Sequence, residues 1–308
     1  MKNKYTAAVF FSGVISGFTG IFRRTVAAHG VDSFGFVLIR SSIGTLFFAL
    51  VILLSNPHDF KIKPKDFWCF IGAGLLSFTG FNLCYFQAMT LMSLSAAAVL
   101  LYSAPIFVIL FSALLFHEAI TPRKLIAVGL AFLGCALSSG IISRSIRPSL
   151  LGILFGLGSG LGYALFSVFS TIAMRRGYRS ITVNFWSCLL ATASMILIKA
   201  YQTPLAAIPH EKTIGFLYVA VGFVTCFLPY MLYTYGLSSL EPGIASVIVS
   251  IEPIVATAVG VLIYKEALDL WIVLGMILVP TAIAVLNRKQ KTKVDLPAAA
   301  QHQARKEE

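Results

Sequence analysis

The feature that most constrains this chain is a succession of ten apolar stretches, each about as long as a bilayer is thick. A hydrocarbon core of ~30 Å needs about 20 apolar residues per helix. Because a lipid-exposed backbone must satisfy its own hydrogen bonds, such spans are either helices or barrel strands. Runs of this length without alternating polar residues predict helices. The approximate spans are 6–28, 33–54, 66–89, 95–116, 123–142, 150–173, 182–201, 213–235, 243–264 and 270–286. We therefore predict an all-α integral membrane fold with ten transmembrane helices.

The composition agrees with this class and excludes several others. Of the 308 residues, 58% are hydrophobic and 12% are charged, whereas a soluble domain carries about 25% charged residues. A water-soluble enzyme, a disordered protein and a disulfide-rich secreted scaffold are thereby excluded. The five cysteines all fall within apolar runs and lack metal-ligand spacing, so neither disulfide nor zinc chemistry is expected.

The basic residues predict how the chain is oriented in the membrane. The net charge of +12 comes from cations that lie between apolar runs and in the tail, which favours membrane topology over a nucleic-acid partner. With the N-terminus inside, sixteen Lys and Arg residues fall on the inner side and seven on the outer, with Arg40 within a span. This bias predicts cytoplasmic termini and a disordered cytoplasmic tail over 288–308.

The two halves of the chain share a motif at one constant offset. The matching residues are Tyr85, Pro105 and Glu118 in the first half and Tyr233, Pro253 and Glu266 in the second. The repeats are predicted over 6–142 and 150–286. Because five helices is an odd number, the second repeat must enter the membrane from the opposite side. Inverted repeats can open a site at their interface to each side in turn, although inheritance from a duplicated ancestor would also preserve them.

These repeated residues carry a family resemblance over about 8–286. The first repeat contributes Tyr85, Phe86, Gln87, Ala88, Pro105, Glu118, Gly129 and Gly134, and the second contributes 233–236, Glu252, Pro253, Glu266 and Gly275. The pattern resembles the EamA-type repeat of the drug/metabolite transporter superfamily. The resemblance implies ten helices, a bacterial plasma-membrane location and export of metabolites or drug-like molecules. It also implies a central cavity surrounded by helices three, four, eight and nine, with one and six.

Polar and aromatic residues on these helices are the candidates for the cavity. They are Asn82, Tyr85, Gln87, Tyr102, Ser103, Tyr230, Tyr233 and Glu252. Phenol rings suit amphipathic organic solutes, and amide groups can orient them. Tyrosines near helix ends also form interfacial belts, the alternative that applies most to Tyr235 and Tyr264. No basic cluster lies at depth, so amino acids and aromatic metabolites are favoured over phosphate esters.

Glu252 is the one carboxylate deep within a predicted span. A charge at the bilayer centre costs about 2.5–3.5 kcal/mol on insertion scales, so Glu252 is expected to face protein or water. Three roles remain open: a carrier of coupling protons, a ligand for a cationic substrate group, and a structural partner for broken backbone or for Arg40. Arg40 itself is expected to pair with an acid or to extend to the outer interface.

Prolines and glycines recur at matching positions in the two halves. Pro105 and Pro253 predict hinges, because a proline within a helix removes one backbone hydrogen bond. Glycines every four residues predict close contacts between helices, either as a sliding seam or as simple tight packing. They are Gly13 and Gly17 in the first helix and Gly152, Gly156 and Gly160 in the sixth. Glu118 and Glu266 end matching helices, which indicates helix-end contacts or gates, with solvated termini as the alternative.

Together these features predict a secondary active transporter that exports small organic metabolites by alternating access. A proton gradient and exchange remain alternatives as the driving force. The sequence contains no phosphate-binding glycine loop and its histidines are scattered, so we expect no enzymatic activity, no cofactor and no metal. The expected partners are a small-molecule substrate, the lipid bilayer, protons and a second copy in a homodimer. The alternative function is a non-transporting sensor or scaffold that keeps the same fold.

Overall fold

A computed structural model of the chain describes residues 3–92, 94–138, 149–202, 212–265 and 269–287. The predicted tail and Glu266 lie outside these residues. Within them the regular structure is helical throughout, with no strand. The all-α prediction is therefore confirmed.

Ten helices follow one another through the described part of the chain. They are α1 (Asn3–Gly17 and Thr19–Ala28), α2 (Ser33–Ser55), α3 (Pro64–Leu91), α4 (Leu94–Leu101 and Ala104–Phe116), α5 (Pro122–Ser138), α6 (Leu150–Arg175), α7 (Ser180–Gln202), α8 (Lys212–Gly222, Phe223–Phe227 and Leu228–Leu237), α9 (Pro242–Val249 and Glu252–Tyr264) and α10 (Leu270–Asn287). All except α5 and α10 are long and apolar enough to cross a membrane. The shorter α5 and α10 pack against each other, as Gly134 of α5 lies against Val279 and the Gly275 carbonyl of α10.

The outer surface of the bundle is apolar, as lipid requires. Leu54, Phe216 and Leu262 are 79–80% exposed, and large apolar side chains of most other helices are exposed in the same way. A monomeric soluble protein rarely shows such a continuous apolar surface. Contact with lipid chains explains it, because the helices satisfy their own backbone hydrogen bonds.

Two kinds of helix irregularity recur in both halves. The helices α4 and α9 are broken at residues 102–103 and 250–251, and a proline stands at the start of each following half. The helices α3 and α8 are each wound as a π-helix in their middle, over Gly72–Thr79 and Phe223–Phe227. Such π segments often occur at functional sites. The breaks of α4 and α9 and the π segments of α3 and α8 are therefore counterparts in the two halves, as expected of a duplicated fold.

The first helix of each half packs against the broken helix of the other half. A Cβ atom built on Gly13 of α1 would lie 2.8 Å from the Val249 carbonyl oxygen of α9. A Cβ atom built on Gly160 of α6 would lie 3.2 Å from the Leu101 carbonyl oxygen of α4. Neither carbonyl can accept the usual helical hydrogen bond from the residue four positions later, because that residue is a proline. The glycines therefore allow two backbones to approach at the breaks.

Candidate functional site

A central cavity lies at the break of α9, between α1, α2, α3, α6, α8 and α9. Its volume is about 90 Å³, which is room for several water molecules. The lining residues are Ser12, Ser16, Thr19, Arg40, Ser77, Phe78, Phe81, Tyr163, Phe166, Ser167, Pro229, Tyr230, Tyr233, Val249 and Glu252. Helices of both halves thus contribute, and the lining combines serine hydroxyls with aromatic rings.

A second cavity of about 60 Å³ adjoins the first on the side of α4. The two cavities share a wall made of Phe81, Tyr163, Ser167, Val249 and Glu252. The remaining lining residues of the second cavity are Leu101, Tyr102, Ala104, Pro105, Val108, Ser246 and Ser250. Glu252 is the sole charged residue among these described lining residues, whereas the central cavity also has Arg40. The second cavity is therefore the more apolar of the two.

Glu252 stands between the two cavities at the break of α9. It is the first residue of the half-helix Glu252–Tyr264, where the helix dipole favours a negative charge. The Tyr163 hydroxyl donates a hydrogen bond to Glu252 Oε2 at 3.4 Å. A carboxylate that costs free energy in lipid is thus held inside the protein, in contact with space that a solute or water can enter.

Arg40 supplies the positive charge of the central cavity. Its Nη2 donates to the carbonyl oxygen of Thr225 at 2.8 Å, within the π segment of α8. The guanidinium lies over the rings of Phe78 and Tyr230, at 5.5 and 5.9 Å from the ring centroids. Its Nε is buried and has no hydrogen-bond partner. Arg40 therefore keeps a free donor at depth, and it is not extended to the interface as one of the sequence expectations had it.

Arg40 and Glu252 line the same cavity without forming an ion pair. Among the described residues, the ion pairs within 4.0 Å all lie elsewhere. The expected structural pairing of Arg40 with this acid is therefore absent here. Two opposite charges consequently face the cavity from α2 and α9, which belong to different halves.

Aromatic rings form the wall of the central cavity on the side of α8. Tyr233 is buried, and its hydroxyl lies 2.7 Å from Ser167 Oγ. Tyr230 packs edge-on against Phe166, with ring centroids 4.9 Å apart. These contacts hold the rings in place, so the wall presents fixed apolar faces.

The structure brings half of the predicted cavity residues to the two cavities. Tyr230, Tyr233 and Glu252 line the central cavity, and Tyr102 lines the second cavity together with the predicted hinge Pro105. The other predicted hinge residue, Pro253, is buried directly after Glu252.

The other predicted cavity residues lie outside both cavities. Asn82 is buried and donates to the Phe78 carbonyl at 2.6 Å, and Ser103 Oγ donates to the Leu100 carbonyl at 2.6 Å. Tyr85 stacks on Phe81 with centroids 5.9 Å apart, behind the cavity wall. Gln87 is exposed in a separate crevice between α2, α3 and α6. Local backbone bonding and helix rotation account for these positions.

Sequence reasoning did not select the cavity residues of α1 and α6. Ser12, Ser16 and Thr19 lie on one face of α1, and Tyr163 and Ser167 on one face of α6. Their spacing of three and four residues matches one side of a helix. The sequence did contain a signal for these cavity residues. Their hydroxyl groups recur at this spacing beside the glycine faces of the same helices.

Charged side chains link the two halves at one end of the bundle, which we call the charged end. It comprises the connections after α2, α4, α6 and α8. Lys124 is buried there, 2.5 Å from Glu241 and 3.9 Å from Glu118, and Arg175 lies 4.0 Å from Glu118. Burial raises the pKa of the Glu118 carboxyl and the nearby Glu241 raises it further, while Lys124 and Arg175 lower it by less.

A second group of ion pairs joins the connection after α2 and the start of α3 to the connection after α6. Asp59 Oδ2 accepts from Arg179 at 2.5 Å. Asp66, which is buried, accepts from Arg176 and from the Tyr178 hydroxyl, the latter at 2.9 Å. The charged end is therefore closed by contacts that cross from one half of the chain to the other.

Comparisons with known proteins agree with the fold. An uncharacterized transporter of Archaeoglobus fulgidus is 27% identical over 285 residues, covering 90% of this chain and 95% of that protein. The pseudopaline exporter CntI of Pseudomonas aeruginosa is 27% identical over 256 residues, covering 83% of this chain and 86% of the exporter. A solved crystal structure with 18% identity superposes with a TM-score of 0.79, covering 92% of this chain and 96% of that one, which shows a shared fold. The pattern of the EamA-like transporter family matches residues 4–140 and 150–288, so this chain belongs to the EamA-like transporter family.

Proposed function

We propose that this membrane transporter exports small organic metabolites by alternating access through the central cavity. The observation that carries the proposal is the position of the cavity, at the break of α9 and between helices of both halves. A site at the interface of two repeats can open to either side as the repeats rock. The similarity to an exporter of pseudopaline supports export as the direction.

The charged end is proposed to face the cytoplasm, with both termini on that side of the plasma membrane. The connections at this end and the N-terminal segment together carry ten of the eighteen Lys and Arg residues outside the tail, and short loops rich in Lys and Arg stay inside. In this orientation the ion pairs of the charged end close the cytoplasmic side in the conformation described. Loading a substrate from the cytoplasm would then require these pairs to separate.

Glu252 is the proposed link between transport and a proton gradient. It is the carboxylate that both cavities share, so it can exchange a proton with whichever side the cavity faces. Solute exchange is the competing source of energy. Glu252→Gln, which keeps the shape of the side chain and removes its charge, separates the two by its effect on the response to pH.

The test is flux in proteoliposomes with a panel of amino acids and aromatic metabolites, with and without an imposed pH gradient. We expect the wild type to accumulate at least one solute faster when the pH gradient is imposed. In Glu252→Gln the gradient should leave the rate of accumulation of that solute unchanged. Flux indifferent to the gradient in both proteins would reject the proton role and favour exchange. No flux of any solute, from protein shown to be folded, would favour the sensor or scaffold alternative.

A further inference from the structure

We propose that Cys188 of α7 and Cys226 of α8 form a binding site for a soft monovalent metal ion of the Cu(I) type. Each thiol gives up its proton and binds the ion as a thiolate, so that the ion lies between two sulfur atoms. The pair stands behind Arg40 of the central cavity, and the cavity is the route by which an ion reaches it. The site is separate from substrate transport and goes beyond the proposed function.

The contact between the two sulfur atoms is the first argument. Cys188 Sγ and Cys226 Sγ are 3.6 Å apart, and both residues are fully buried. They lie on consecutive helices and are 38 residues apart in the chain, so the cysteine spacing of the sequence gave no sign of them. A metal–thiolate bond is about 2.3 Å long in zinc sites, so two sulfurs on opposite sides of an ion stand about 4.6 Å apart. Small rotations of the two side chains supply this change.

The number and the type of the donor atoms select the ion. Over the part of the chain that the structure describes, no group of three or more His, Cys, Asp and Glu side chains could hold a metal ion. Zn(II) takes at least three protein ligands, and Mg(II) and Ca(II) take oxygen ligands, so these ions find no complete set of donors at the pair. Thiolate sulfur is a soft ligand that selects Cu(I), and two thiolates suffice to coordinate this ion.

Arg40 supplies the charge that such a complex needs. Its guanidinium interacts electrostatically with both thiols and donates to the carbonyl of Thr225, the residue before Cys226. With both thiols protonated, Arg40 carries one uncompensated positive charge. Binding releases two protons to the solvent and leaves two thiolates around one monovalent cation, which together carry one negative charge. The complex therefore neutralises Arg40, and a buried charge is costly unless it is paired.

The packing around the pair holds the sulfurs in place and excludes water. The pair belongs to an apolar cluster with Val37, Phe48 and Met195, each of which is at most 1% exposed. Gly44 of α2 leaves room for Cys226, because a Cβ atom there would lie 2.6 Å from the Cys226 sulfur. An apolar shell controls the access of solvent to a metal site. Here it keeps oxygen ligands away from the sulfurs and favours a soft ion.

Silver binding to the full chain in lipid nanodiscs tests the proposal, because Ag(I) is a stable stand-in for Cu(I). The protein is reduced, freed of reductant and loaded with silver nitrate under nitrogen. Gel filtration at rising concentrations of glutathione then measures how firmly the silver is held. We expect the wild type to retain one Ag(I) per chain, and X-ray absorption at the silver edge to show two sulfur neighbours.

Five cysteine variants locate the site. Cys188→Ser and Cys226→Ser should each lose the silver at a glutathione concentration at least about tenfold lower than the wild type, because the loss of even an outer-shell partner costs this much affinity. Cys69→Ser, Cys84→Ser and Cys135→Ser are the matched controls, since they remove a free thiol elsewhere in the bundle. All three controls should retain silver as the wild type does.

A comparison of Ag(I) with Hg(II) tests the role of Arg40. The bis-thiolate complex of Ag(I) is an anion, whereas that of the divalent Hg(II) is neutral. Arg40→Gln should therefore weaken Ag(I) binding at least about tenfold, because a buried charge loses its partner, and should leave Hg(II) binding unchanged. Arg40→Lys, which keeps the charge, should bind both ions as the wild type does.

Three results would overturn the metal site. They are silver held as firmly by Cys188→Ser or Cys226→Ser as by the wild type, a silver edge with a single sulfur neighbour, and no silver retained by reduced, folded wild type. Size-exclusion profiles show whether the variants are folded, and Cys188→Ala and Cys226→Ala repeat the test if serine disturbs the apolar cluster. Since solute flux is not measured, failure of the metal site leaves the proposed function standing.

Discussion

Buried charges in this protein are placed where a partner or a function accounts for them. Lys124 lies between two carboxylates, with its side chain 11% exposed, and the Glu118 side chain is 8% exposed. Arg40 and Glu252 instead face a cavity, and the buried Nε of Arg40 has no hydrogen-bond partner. The first arrangement joins helices of the two halves, and the second leaves room for a ligand. At the residue scale, the distinction between structural and functional charge is whether the partner is already present.

The charged end makes a prediction about Lys124. Lys124→Met should destabilise the protein by about 1–3 kcal/mol, because Glu118 is then left buried beside Glu241 with only the half-exposed Arg175 to compensate. Thermal unfolding of the protein in detergent measures this loss. The double variant Lys124→Met with Glu118→Gln should recover part of it, and a double variant as unstable as the single one would contradict the explanation.

The raised pKa of Glu118 predicts a dependence of stability on pH. The ordinary pKa is 4.5, so the unfolded chain ionises first as the pH rises, and the folded chain keeps its proton longer. The wild type should therefore lose stability relative to Glu118→Gln as the pH rises from about 4.5 through the raised pKa. Unfolding midpoints of both proteins across this range test the sign. A wild type that gains stability relative to the variant would show that Lys124 and Arg175 outweigh burial.

At the scale of elements, glycines and prolines act together at the helix breaks. The proline of each broken helix frees a carbonyl, and a glycine of the opposite half lies against that carbonyl or its neighbour. The structure thus supports close packing at Gly13 and Gly160. That the helices slide past each other at these contacts stays a prediction. The hinge role of Pro105 and Pro253 likewise stays a prediction, with the breaks at the expected places.

Gly160→Ala provides the test at this scale. The added Cβ atom would lie 2.6 Å from Ser103 Oγ and 2.9 Å from the Leu100 carbonyl oxygen, so the helices must separate at a cost of about 1–3 kcal/mol. Gly129→Ala is the matched control, because a Cβ atom there meets nothing within 4 Å. The control should be neutral or more stable by about 0.5–1 kcal/mol. Equal unfolding midpoints for the two variants would argue against tight packing at the break of α4.

At the scale of the whole molecule, two similar halves enclose cavities that neither forms alone. The central cavity draws on α1, α2 and α3 from the first half and on α6, α8 and α9 from the second. The halves are not equivalent, because Glu252 has Ala104 at the matching position of the break in α4. The carboxylate at the break is thus present in one half alone, whereas the helix geometry recurs in both.

Cysteine labelling tests the inverted arrangement. The connection after α1 and the connection after α6 are equivalent in the two repeats, so they should lie on opposite sides of the membrane. In a background without native cysteines, His29→Cys should react with a membrane-impermeant maleimide added outside cells. Arg179→Cys should react only after the membrane is opened. Labelling of both from the same side would refute the inverted repeat.

The sequence by itself determined the class of fold, the positions of the helices and the repeated prolines and glycines. These follow from hydrophobic length and from local backbone chemistry, which act within one segment at a time. Only the tertiary structure decided which side chains meet. Because membrane helices are apolar all round, periodicity cannot say which face turns inward, and so Tyr163 and Ser167 were overlooked while Asn82 and Gln87 were selected. The cavity depends on how far each helix is rotated against its neighbours, and that rotation is set by contacts such as Gly13 against Val249, between residues far apart in the chain.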